Sequence, residues 1–203
     1  MKDKNQIDSP IGRITFAELF ALVLQDNQML EVARGYYELK MYTDAEAELL
    51  NGSFFTRKRS DYLELRGLIH LARGEFQKSL GCADEIIVQE PDDAMGYILR
   101  ACAVQHLKDG GARASYKILA DVVDKFDDCL SPKYNLGCFA AASGNLRAAR
   151  KWLIRTFAAA IGTEFDGHYQ NLAFKDTDLE PLWRELSRIN EAALRLYQRR
   201  SVK

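Results

Sequence analysis

The sequence carries almost none of the patterns that announce chemistry. It has no Gly-rich phosphate loop, no His-Glu-x-x-His and no Gly-x-Ser-x-Gly. An excess of one charge sign is also lacking, since 28 Lys and Arg stand against 29 Asp and Glu, for a net charge of −1. No long-range field therefore draws in DNA, RNA or an anionic membrane. No apolar run approaches the roughly 20 residues that cross a bilayer. The opening MKDKNQIDSP is charged and has no apolar signal region, so a cytoplasmic protein is expected. The four cysteines, Cys82, Cys102, Cys129 and Cys138, form no Cys-x-x-Cys pair and have no His at zinc spacing. They read as buried thiols that pack as small hydrophobes. No metal, no cofactor and no catalysis is expected.

What the sequence does have is a period. Apolar residues make up 47% and charged residues 28%, enough for a continuous core under a solvated surface. The stretch Ser60 to Asp93 reads SDYLELRGLIHLARGEFQKSLGCADEIIVQEPDD. Gly67 suits a close approach of two helices, Gly74 a helix end with positive φ, Phe76 and Ser79 a second helix, and Pro91 its stop. Small residues recur at Ala33, Gly67, Ala101 and Gly137, at intervals of 34, 34 and 36. A second column recurs at Ala45, Ser79, Ser115 and Ala149, at intervals of 34, 36 and 34. Both columns place one two-residue insertion between Ala101 and Ser115, where Lys108 to Ala112 reads KDGGA.

These positions resemble the tetratricopeptide repeat (TPR), in its bacterial form. The resemblance implies an all-α fold: a TPR-like solenoid of antiparallel helix pairs, wound as a right-handed superhelix. The expected organisation is a flexible lead over 1–14, then a capping or dimerisation helix over 15–25. Four repeats follow at 26–59, 60–93, 94–129 and 130–163, then C-terminal capping helices over 164–203.

Along the chain, Thr15 and Glu18 fit a capping box at a helix start. Phe16, Leu19, Phe20, Leu22 and Val23 then line an apolar stripe that must be buried somewhere. It caps the first repeat, forms a dimer seam or plugs the protein's own groove. In the first repeat Gly52 and Arg57 stand where a small residue and Pro are usual, so its second helix is expected to end early. Arg57, Lys58 and Arg59 there read as a solvated basic loop. Near the other end, His168 to Ala173 predicts a short helix. DTDLEPLWREL predicts a capping segment with Thr177 or Asp178 at its start and Leu179, Leu182, Trp183 and Leu186 on its apolar side. The remaining histidines read as a core residue, His70, and a residue on the groove side of a first helix, His106.

The repeat register also says which side chains should face the concave surface. They are Arg34 and Tyr37; Glu64, Leu65, Leu68 and Leu71; Ile98, Leu99, Cys102, Gln105 and His106; and Tyr134, Asn135 and Cys138. The basic set by which carboxylate-clamp repeats hold a C-terminal tail is absent, with Arg34 the only cation. The middle of this surface is apolar, so it either binds a peptide or helix, holds one of the protein's own terminal helices, or is core. The family resemblance implies a non-catalytic scaffold or adaptor for a protein or peptide partner. The other readings are a chaperone for an aggregation-prone secreted or assembly subunit, or a subunit that self-associates through residues 15–25. Replacing Ile98 by Glu is expected to leave the fold intact and abolish partner binding.

Overall fold

The computed structural model describes residues 6–9 and 12–201, and the fold is all-α. Two short strands, β1 (Gln6–Ser9) and β2 (Gly12–Thr15), pair antiparallel with Ile7 opposite Ile14. The sequence had suggested a flexible lead there. Ten α-helices follow among the described residues: α1 (Phe16–Glu38), α2 (Tyr42–Leu49), α3 (Ser60–Ala72), α4 (Phe76–Gln89), α5 (Ala94–Gln105), α6 (Ala112–Ala120), α7 (Leu130–Ala142), α8 (Leu146–Ala160), α9 (His168–Ala173) and α10 (Leu186–Ser201). Three 3-10 segments lie at Thr56–Lys58, Val123–Phe126 and Thr177–Glu185. The chain divides into two compact units, 1–82 and 83–203, and α4 begins in one and ends in the other.

Both columns of small residues are interior. Ala33, Ala45, Ser79, Ala101, Ser115 and Ala149 are fully buried, and Gly67 and Gly137 are buried too. Within the helix pair α5/α6 the Ser115 hydroxyl donates to the Ala101 carbonyl at 2.7 Å, a direct contact between the two columns. In α7/α8 a β-carbon on Gly137 would lie 3.0 Å from the Leu153 side chain. The period thus marks where helices come closest, which is why only small residues stand there.

The turns within pairs repeat as well. Lys40 (φ 60), Gly74 (φ 75) and Gly144 (φ 82) are left-handed at the ends of α1, α3 and α7. Each is followed by an N–H that reaches back five residues, Met41 to Tyr36, Glu75 to His70 and Asn145 to Ala140. This arrangement satisfies carbonyls that a helix end leaves free. The third pair departs from it because of the insertion. Gly111 (φ 101) bonds back to the Val104 carbonyl at 3.1 Å, and a β-carbon on Gly110 would sit 1.9 Å from that same oxygen. The two glycines are thus required for different reasons, one for its φ and one for its closeness to backbone.

In unit 1, the capping box is present: Glu18 N–H donates to Thr15 Oγ1 (3.3 Å), and Thr15 N–H donates to Glu18 Oε2 (2.8 Å). The expected 15–25 helix and the first helix of the first repeat are one continuous helix, α1. Its second half contributes Asp26, Met29, Leu30 and Ala33 to the interior. As the sequence suggested, α2 ends early, at Leu49. Arg57 closes that end by donating to the carbonyls of Gly52 (3.0 Å) and Leu50 (2.8 Å), and Arg59 reaches Asp61 and Asn27. Two members of the basic cluster are therefore engaged in holding this loop.

In unit 2, Ile98, Ala101, Leu119, Val123, Leu136 and Phe139 form one cluster. A second joins α7 and α8 to the C-terminal segment through Leu153, Phe157, Tyr169, Leu179, Leu182, Leu186 and Ile189. The short helix α9 covers the expected residues. The cap of the following 3-10 segment is Asp176, which accepts from Asp178 N–H at 3.1 Å, rather than Thr177 or Asp178. Trp183 donates to the carbonyls of Ala173 (3.0 Å) and Asp176 (3.2 Å). Arg150 on α8 grips Glu185 with two bonds of 2.7 and 2.8 Å. Trp152, also on α8, donates to the Tyr116 hydroxyl at 3.1 Å.

Candidate functional site

The residues expected on the concave surface are only partly available. In unit 1, Arg34, Tyr37, Glu64, Leu68 and Leu71 are half-buried, whereas Leu65 is fully buried. In unit 2, Ile98, Leu99, Tyr134 and Cys138 are buried, Cys102, Gln105 and Asn135 are half-buried, and His106 is exposed at the end of α5. The apolar middle of the expected groove is therefore core in part, at Leu65, Ile98 and Leu99, while Leu68, Leu71 and Cys102 keep some exposure. Ile98 packs against residues of α6, α7 and the Val123–Phe126 segment, so the expectation that Ile98→Glu spares the fold is overturned.

The unit 2 surface is also occupied by the chain itself. Gln105 donates to both carboxylate oxygens of Asp178 (3.1 and 3.0 Å). Tyr134 donates its hydroxyl to Asp176 Oδ2 at 3.0 Å, and the Cys138 thiol donates to the same oxygen at 3.2 Å. The Cys102 thiol points to Asn135 Oδ1 at 3.9 Å. Cys102 and Cys138 share one polar cluster, since both thiols feel the charges of Asp176 and Asp178. Burial pushes the Cys102 thiol up to about 12, with the charges of Asp178 and Asp176 adding to it. Burial, then the Asp176 carboxylate, raises Cys138 well above its ordinary value, and burial raises Tyr134. Thiols held protonated in this way are poor nucleophiles.

Asp176 and Asp178 were not recognised as groove residues in the sequence. They belong to the capping segment, and nothing in the repeat period says which surface that segment covers. Asp26 escaped notice for a similar reason. It is buried in α1, accepts from Ser53 N–H at 2.9 Å and from its hydroxyl at 2.5 Å, and so ties the irregular loop to the helix. Burial pushes its carboxyl up, but the bonds from Ser53 and Thr56 and the charge of Arg59 outweigh that and hold it below the usual range.

One cluster has metal-ligand chemistry. Glu46, His70 and Glu75 bring one ligating atom each to within 4.8 Å of one another. His70 is buried, its Nδ1 lies 2.9 Å from Glu75 Oε2, and burial holds the imidazole below its ordinary value. The positive charge here comes from side chains: Arg73 pairs with Glu46 and, at 3.1 Å, with Glu75, and Lys78 bonds Glu75 at 2.9 Å. The Lys78 bond is the main reason the Glu75 carboxyl is held low. The cluster works as a lock on the turn between α3 and α4.

The surface that stands out is the first half of α1. Its sequence from Phe16 to Leu24, FAELFALVL, is apolar around nearly the whole helix. Phe16 is 67% exposed, Phe20 57%, Leu24 55% and Val23 41%, and Ala17 and Ala21 between them are exposed too. Leu19 and Leu22 of the expected stripe are half-buried. The only charge is Glu18, whose carboxylate is engaged with Thr15. A helix apolar on all sides is ordinarily interior. Among the described residues no helix is long and apolar enough to cross a membrane. No protein-family model matches this chain, and neither a curated protein nor a solved structure matches it.

Proposed function

We propose that this chain is a non-catalytic, TPR-like protein-interaction module that docks on an apolar protein surface through the first half of α1. One observation carries the reading: Phe16, Phe20, Val23 and Leu24 stand exposed together on a helix with one charge. At about 200 Å² for a whole Phe and somewhat less for Leu and Val, their exposed parts amount to about 400 Å². Covering that area is worth about 10 kcal/mol at about 25 cal/mol per Å², enough to exceed several kcal/mol of association cost. A lipid surface fits less well, because helices that lie on membranes carry Lys and Arg along their polar face and residues 16–25 have none. The concave-groove and chaperone readings both needed an open apolar groove, and the burial of Leu65, Ile98 and Leu99 weakens them.

The test is the double variant Phe20→Glu, Leu24→Glu, compared with the wild type by melting temperature and by amide hydrogen exchange. The expected result is an unchanged melting temperature together with faster exchange across residues 17–25 in the variant alone. A marked drop in melting temperature would place these side chains in the core and overturn the reading.

A further inference from the structure

We infer that the partner on α1 is a second copy of the same chain, packed antiparallel along residues 16–24. The inference rests on the docking reading above and adds the identity of the occupant. Three features of the helix favour it. The exposed side chains are arranged evenly about Phe20, with Phe16 four residues before it and Leu24 four residues after. An antiparallel copy centred there sets Phe20 against Phe20 and each Phe16 against the other Leu24, so the surface is its own complement, as a two-fold interface requires.

The second feature is charge. Glu18 lies two residues from Phe20, on the far side of the helix, and Asn27 and Gln28 fall beyond the partner's Phe16, so no like charges meet. A partner of different sequence would ordinarily be selected by charges or hydrogen-bonding groups, and within residues 16–24 the capped Glu18 is the only such side chain. The exposed Ala17 and Ala21, one turn apart, leave room for the two backbones to approach beside the rings.

The third is size. Two copies of this face, with the alanines beside it, bury about 1,000 Å² in total, the lower edge of specific interfaces. A weak, concentration-dependent dimer follows, with subunits that exchange readily.

The experiment is sedimentation velocity on the full chain over a dilution series through the micromolar range, for the wild type and for Phe20→Glu, Leu24→Glu. A Phe20→Cys variant is oxidised mildly beside them. The expected result is a wild type that moves from twice the chain mass to one on dilution, a double variant of single mass throughout, and a disulfide-linked dimer from F20C but not from the wild type. A wild type of single mass at every concentration overturns the second-copy inference, and the unchanged melting temperature of the double variant would still support docking. A dimer that persists in the double variant overturns both. A dimer lost in the double variant without cross-linking in F20C overturns the register centred on Phe20.

Discussion

Capping was one of three roles open to the first half of α1 and the role expected of the C-terminal segment, and the two segments are built differently. Leu179, Leu182, Leu186, Ile189 and Ala193 recur three or four residues apart, and all are buried with α7 and α8. The residues between them, such as Glu180, Arg184 and Arg188, are exposed. That is a segment with one face for the core and one for water, which is what a cap needs. Residues 16–24 instead present apolar groups on nearly every side, and most of them remain in solvent. An apolar stripe says that a helix will be covered; only its polar back says that one neighbour is enough.

The largest effect that would break this contrast is at the C-terminal segment. Leu182→Ala is expected to cost about 2–5 kcal/mol in urea denaturation followed by circular dichroism, through a cavity in the core. A loss under about 1 kcal/mol would mean that the segment is a surface appendage.

Next comes the joint between the two halves of α1. Asp26→Asn should cost about 1–3 kcal/mol at neutral pH by weakening the bonds to Ser53. The folded carboxyl lies below its unfolded value. Its contribution is therefore full above the unfolded carboxyl range and is lost as the pH falls through the folded value. Melting temperature measured against pH should fall less steeply in acid for the variant than for the wild type. Equal acid limbs would show that other carboxylates set the response.

A smaller change, of opposite sign, tests the far end of the same helix. Lys40 holds a φ of 60 where the equivalent turns of α3 and α7 have Gly74 and Gly144. Lys40→Gly is expected to stabilise the chain by about 1 kcal/mol, read from the urea midpoint. A loss of stability would mean that the Lys side chain contributes something its exposed position does not suggest. Least of all should change on Phe20→Glu alone when the comparison is made at a dilution where the chain is monomeric, with stability within about 0.5 kcal/mol of the wild type because the ring of the single chain is already in water.

Much of the fold was readable in the sequence, because the period records helix contact directly. Ala33, Gly67, Ala101 and Gly137, with their partners in the second column, are the places where backbones approach, and each is buried. Thr15 with Glu18, the early end of α2 and the start of α9 were readable because capping and breaking are local events. The groove was not. A repeat register gives the face of a helix on which Ile98, Cys102 or Gln105 stands, but another segment decides whether that face is open. Ile98 is covered by neighbours in its own cluster, while Gln105, Tyr134 and Cys138 are held by Asp176 and Asp178 from a region with no period at all. Asp26 was hidden for the same reason, since its partner Ser53 lies in the one loop of unit 1 that departs from the repeat.

The placing of two indoles has a practical consequence. Both tryptophans, Trp152 and Trp183, lie within residues 83–203, and residues 1–82 contain none. Each holds its ring nitrogen on an oxygen of its own unit. Light absorbed at the red edge of the protein's spectrum is therefore taken up by one unit alone, and the emission that follows reports that unit's melting without any label. Tyrosine bands and helix dichroism carry both units, so the difference between the two signals isolates the unit that bears α1.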